Sequence, residues 1–126
     1  MNSVRIQHVR RIAELLQKTG CTITSPKTVR GVSGPQTFDI SVQRENEEIV
    51  FDIESEHTEV GPEIIAAFYA KILDTRPRRA ILICIPNLNR DARSLSIMYK
   101  LETVIASDIR EAETKVSELI EADKLL

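Results

Sequence analysis

Thr37-Phe38-Asp39-Ile40-Ser41-Val42 and Ile49-Val50-Phe51-Asp52-Ile53-Glu54 alternate apolar and polar residues with a period of two, the pattern of half-buried β-strands. The charged stretch between them, Arg44-Glu45-Asn46-Glu47-Glu48, is short enough to be a hairpin turn. A turn centred on Glu45-Asn46 pairs Phe38 with Ile53, Ile40 with Phe51 and Val42 with Ile49, all on one face. The other face then sets Asp39 opposite Asp52, with Glu54 two residues along. Like charges facing each other across a ladder destabilise it. Three carboxylates kept on an otherwise well-formed hairpin therefore point to a use. The economical one is a divalent cation, Mg²⁺ or Mn²⁺, because hard ions take clustered carboxylate oxygens.

The flanking segments read outward from this hairpin. Val4, Ile6, Val9, Ile12, Ala13 and Leu16 recur at helical spacing over about Ser3 to Lys18, and Gly20 closes that helix. Cys21-Thr22-Ile23-Thr24 reads as a strand leading through Ser25-Pro26-Lys27 towards the hairpin. Gly31-Val32-Ser33-Gly34-Pro35 reads as a flexible loop. Pro62 suits the first turn of a second helix running to about Asp74, apolar on most sides and so expected to be largely buried. Ala80-Ile81-Leu82-Ile83-Cys84-Ile85 is a continuous apolar strand, expected to be central and covered on both faces. Asn87-Leu88-Asn89 caps a third helix, about Asp91 to Leu101. Thr103 to Ala106 makes a last short strand, and Asp108 with Glu111 forms a capping box for a terminal helix. The order is an α/β domain with a mixed central sheet and helices on both faces.

At 126 residues and 42% hydrophobic, the chain fits one domain with a single core, here aliphatic because Trp is absent. Cys21 and Cys84 sit among apolar neighbours and read as inert thiols of a reducing compartment, not as a disulfide framework. The N-terminus has no apolar signal-peptide core, and the longest wholly apolar run, Ala80 to Pro86, is too short to span a bilayer. A cytoplasmic protein without a membrane partner is expected. The net charge of −2 argues against a strongly basic nucleic-acid binder. The charge is unevenly placed, however: residues 1–107 carry 14 Lys and Arg against 13 Asp and Glu, and residues 108–126 carry 3 against 6. Local basic clusters, including Lys27 with Arg30 and Arg90 with Arg93, suit phosphates or a solvated surface alike.

An Asp in the second strand and an acidic-x-acidic step in the third, within this element order, resemble the PD-(D/E)xK or restriction endonuclease-like superfamily. The likeness is strongest to its small Mrr-like and Holliday-junction-resolvase-like members. It covers about residues 4–109. It is carried by Leu15-Leu16 to Gly20, Thr37-Phe38-Asp39-Ile40, Ile49 to Glu54, Ala67-Phe68-Tyr69-Ala70-Lys71 and the strand end Ile83 to Pro86. The resemblance implies an αβββαβαβ domain and Mg²⁺-dependent cleavage of nucleic acid, DNA before RNA, by a possible homodimer. Asp39 matches the family's first acid and Asp52 its second. Glu54 stands where the family has Lys, whose charge assists the attacking water or offsets charge developing on the phosphate. Three alternatives follow: more metal, a lysine from elsewhere, or catalysis lost with the fold kept for nucleic-acid binding or protein interaction. Lys71 is the candidate for a migrated lysine. Glu14 in the first helix is a candidate further carboxylate, as first-helix acids are in parts of the family.

Other chemistry is weaker. His57, close after Glu54-Ser55-Glu56, is a candidate ligand or base but reads more simply as surface. The Glu56-His57-x-Glu59 cluster lacks zinc-motif spacing. Gly31-x-x-Gly34 lacks the Lys and the following helix of a P-loop.

Overall fold

The structure, a computed structural model, describes residues 3–55 and 58–121. The candidate His57 with Glu56, and residues 122–126, through which the terminal helix is expected to run, lie outside that range.

A mixed five-stranded sheet forms the middle layer, in the spatial order β1 (Thr22–Thr24), β4 (Ile40–Arg44), β5 (Glu47–Ser55), β6 (Arg79–Ile85), β7 (Glu102–Ile105). β1, β4 and β5 are antiparallel, and β5, β6 and β7 are parallel. The hairpin register is the expected one: Ile40 faces Phe51 and Val42 faces Ile49, around a turn in which Glu45 adopts φ 57°. Period-two alternation sorts β5 and β6 into two cores. Ile49, Phe51, Ile53, Ile81 and Ile83 point to the layer of α1 (Ser3–Gln17) and α4 (Ile109–Glu121). Val50, Leu82 and Cys84 point to the layer of α2 (Pro62–Thr75) and α3 (Arg90–Met98). β6 is central and buried from Ile81 to Ile85, as its apolar run requires.

The expected caps form. Asn89 accepts the Ala92 N–H at 2.8 Å. Asp108 accepts that of Glu111 at 2.8 Å, while the Glu111 side chain reaches back to the Ser107 N–H at 2.8 Å. Among the described residues, no helix is long and apolar enough to cross a membrane.

Three expectations change. Gly31–Pro35 is not a loop between strands of the main sheet. It is the tip of a separate two-stranded hairpin, β2 (Lys27–Gly31) and β3 (Gly34–Phe38), closed where Gly31 faces Gly34. Gly34 takes φ +133°, a region that disfavours side chains. A Cβ on Gly31 would fall 2.0 Å from an Asp74 carboxylate oxygen, so both glycines serve the turn.

The second correction concerns Phe38. It pairs with Lys27 rather than Ile53, and its ring packs with Val50, Phe68 and Leu82, on the opposite face from Ile40 and Phe51. The chain bends at Asp39, leaves the main sheet there, and so breaks the alternation. Third, α2 is less buried than its composition suggests. Ile65 and Phe68 are buried, but Leu73 is 50% exposed, because one flank of the helix walls an open cleft.

Candidate active site

β5 turns alternate residues to the α2 side, in step with buried Val50. Asp52 and Glu54 follow at i+2 and i+4, and both line a cleft of about 710 Å³ between α2 and the β2–β3 hairpin. Ala67, Ala70 and Lys71 of α2 line one wall, and Ser33 and Gln36 of the hairpin line another. Asp52 is 7% exposed. Burial pushes its carboxyl above the usual Asp range, against the pull of Lys71.

Lys71 reaches that carboxylate. Its Nζ ion-pairs with Asp52 Oδ2, donates to the Thr37 carbonyl at 2.6 Å, and lies 4.6 Å from the centre of the Phe38 ring, within cation–π range. The helix thus brings to Asp52 the cation that β5 lacks.

Asp39 does not join this group. It shares a second cleft of about 510 Å³ with Arg5, Ile6, Val9 and Glu14 of α1. Arg5 Nη2 donates to both of its carboxylate oxygens, at 2.7 and 2.6 Å, and the Ile53 N–H donates to Oδ2 at 2.8 Å. The Asp39 N–H in turn donates to Asp52 Oδ1 at 2.9 Å. The expectation of three carboxylates on one face is therefore corrected. Asp52 and Glu54 share a face, whereas Asp39 turns at the bend to the layer of α1. Arg5 offsets the charge of Asp39 on one side of the sheet and Lys71 that of Asp52 on the other.

Among the described residues no group of three or more His, Cys, Asp or Glu side chains is placed to hold a metal ion. Mg²⁺ seldom needs such a cage: one or two carboxylates with waters and substrate phosphates suffice. Asp52 and Glu54, two hard donors on one face of one open cleft, fit that pattern. Glu14 is exposed on α1 and lines the other cleft, so it stands outside this donor pair.

None of the candidates from the basic clusters lines the cleft. Lys27 is 3.8 Å from Glu48. Arg30 is exposed on β2, and Arg90 is exposed at the start of α3. Arg93 donates to Asn87 Oδ1 at 2.8 Å.

Sequence reasoning missed three participants, Arg5, His8 and Asp74. Arg5 and His8 fall on the same helical stripe as Ile12 and Leu16, which marks them as inward-facing. Arg5 also donates to the Ile53 carbonyl at 3.0 Å, and His8 Nδ1 shares a 2.9 Å hydrogen bond with buried Ser55 Oγ. Burial and then Arg11 hold the His8 pKa below its usual value. Asp74, an acid in the last turn of a helix and so against its dipole, clamps the hairpin. It accepts from the Ser33 N–H and Oγ at 2.8 Å each and from Gln36 Nε2 at 2.9 Å. Cys84 is buried beneath the site. Burial, and then the charge of Glu54, push its thiol up to about 12, so it is no nucleophile.

No protein-family model matches the chain, and no curated protein matches it. Among solved structures, it is similar to one titled "Crystal Structure of Protein of Unknown Function AF1548", at 16% identity and a TM-score of 0.67. The match covers 80% of this chain and 57% of that one, so the chain spans little more than half the length of that neighbour. That likeness concerns the fold alone.

Proposed function

We propose that this chain is a Mg²⁺-dependent phosphodiesterase acting on nucleic acid, DNA before RNA, with Asp52 and Glu54 as metal ligands and Lys71 as the catalytic cation. The observation that carries the reading is the Lys71–Asp52 ion pair. It supplies from a helix the positive charge missing from the strand, beside two carboxylates in a cleft open to a polymer. Mg²⁺ held there would polarise the scissile phosphate and lower the pKa of an attacking water. Asp52 and Glu54 would hold that ion, and Lys71, beside Asp52, would offset the charge that grows on the phosphoryl oxygens. Lys27 and Arg30 on the hairpin and Arg90 and Arg93 on α3, all outside the cleft lining, are the candidate phosphate contacts. Cutting both strands of a duplex takes two such sites, which brings a homodimer into the proposal. The two free thiols, Cys21 and Cys84, suit the reducing cytoplasm.

One observation favours a second reading, a nuclease fold kept for binding alone. Every carboxylate oxygen of Asp39 and Asp52 already accepts a hydrogen bond or ion pair within the protein. Nicking of supercoiled plasmid separates the two. Cleavage with Mg²⁺ that stops with EDTA and is absent in Asp52→Asn supports the enzyme. Salt-sensitive plasmid binding without cleavage by the wild type supports the binding module.

A further inference from the structure

Asp39 is the residue whose surroundings fit a metal ligand least and a structural device best. In an antiparallel ladder, Ile53 would exchange its N–H and C=O with the residue opposite it on the neighbouring strand. The bend at Asp39 removes that partner, since Phe38 belongs to the other sheet. Two side chains take its place. The Asp39 carboxylate accepts the Ile53 N–H at 2.8 Å and Arg5 Nε donates to the Ile53 carbonyl at 3.0 Å. The Arg5 guanidinium ties the two together at 2.6–2.7 Å. The same bend aims the Asp39 N–H at Asp52 Oδ1, 2.9 Å away. A chain of contacts thus runs from α1 through the sheet to the carboxylate in the cleft.

We infer that Arg5 and Asp39 are a positioning pair. They complete the ladder at Ile53 and hold Asp52 by one oxygen so that its other oxygen faces the cleft. Asp39 touches neither metal nor phosphate. Charge-assisted bonds at these distances are the strong ones, and a fork held by both carboxylate oxygens and a carbonyl leaves the Arg5 guanidinium little freedom. This inference rests on the proposed metal role of Asp52, but its structural half stands apart from it.

The test is Mn²⁺ titration of the full chain, followed by the electron paramagnetic resonance of the free ion, for Asp39→Asn, Arg5→Gln, their double variant and Asp52→Asn. Removal of a residue that orients a ligand costs about tenfold or more in metal affinity, whereas removal of the ligand itself costs the site. Asp39→Asn and Arg5→Gln should therefore each bind one ion about tenfold more weakly, by the same measure. The double variant should bind no more weakly than the singles, and Asp52→Asn should not bind. Loss of the site in Asp39→Asn would overturn the inference, as would tighter binding in Arg5→Gln or no change in either. Wild type that binds no Mn²⁺ sinks the proposed function, and with it the metal half of the inference. The ladder half is read separately from amide hydrogen exchange. Arg5→Gln should speed exchange at Ile53 and Asp39 and leave Val42 and Val50 unchanged. Unaltered exchange at Ile53 would overturn the ladder half as well.

Discussion

Asp52, Glu54 and Lys71 come from a strand and a helix separated by a polar connection, and the pairing of Lys71 with Asp52 decides how Glu54 is to be understood. With the cation already supplied by α2, a lysine at position 54 is redundant and a carboxylate there is useful. Glu54→Lys should therefore lower Mg²⁺-dependent plasmid nicking. In the proposed site it removes a metal ligand and sets a second cation beside Lys71, and disturbing a preorganised electrostatic site costs on the order of a hundredfold in rate, as loss of one such donor does. A faster enzyme would mean that position 54 is an impaired lysine site. Asp52 and Glu54 were legible in the sequence because strand periodicity assigns them one face, whereas Lys71 was found through the family resemblance, as the candidate for a migrated lysine. The partner of Asp39 was not. Arg5 lies 34 residues away, and hydrophobic spacing treats an arginine as surface even when, as here, it shares the inward stripe with Ile12 and Leu16.

At the scale of elements, the hairpin β4–β5, the central β6 and the capped helices follow from local rules that agree with one another. The β2–β3 hairpin did not emerge, because two glycines and a proline within five residues read as a loop and Pro35 argues against a strand. It persists as a two-stranded flap where Pro35 need not feed a central ladder, anchored from outside by Asp74. That anchor has a pH signature. Hydrogen bonds from Gln36 first, then from Ser33, hold the Asp74 pKa below its usual value. A carboxylate so lowered stabilises the folded state above its ordinary pKa, and the contribution is lost as pH falls through the lowered one. Wild type should exceed Asp74→Asn in urea midpoint at neutral pH, and the difference should shrink on acidification through and below the usual Asp range. A difference that is constant or grows in acid would show that the hairpin is held some other way.

The whole chain carries a net charge of −2, with an acidic terminal segment and a few local basic clusters before it. Nucleic-acid binding should then rest on a few phosphate contacts. Each contact releases counterions, so affinity for a duplex should fall steeply between about 50 and 200 mM salt, and Arg90→Gln with Arg93→Gln should flatten that slope. Tight binding indifferent to salt would point to a partner other than nucleic acid. The claim on which all of this turns is that Lys71 is the catalytic cation, and single-turnover cleavage with Mg²⁺ by wild type and Lys71→Met tests it most directly. Wild type should cleave, and Lys71→Met should be slower by about a hundredfold or more, the usual cost of losing one preorganised charge donor, with the variant still folded by circular dichroism. Equal rates for the two proteins, or no cleavage by wild type with Mn²⁺ shown to be bound, would contradict it.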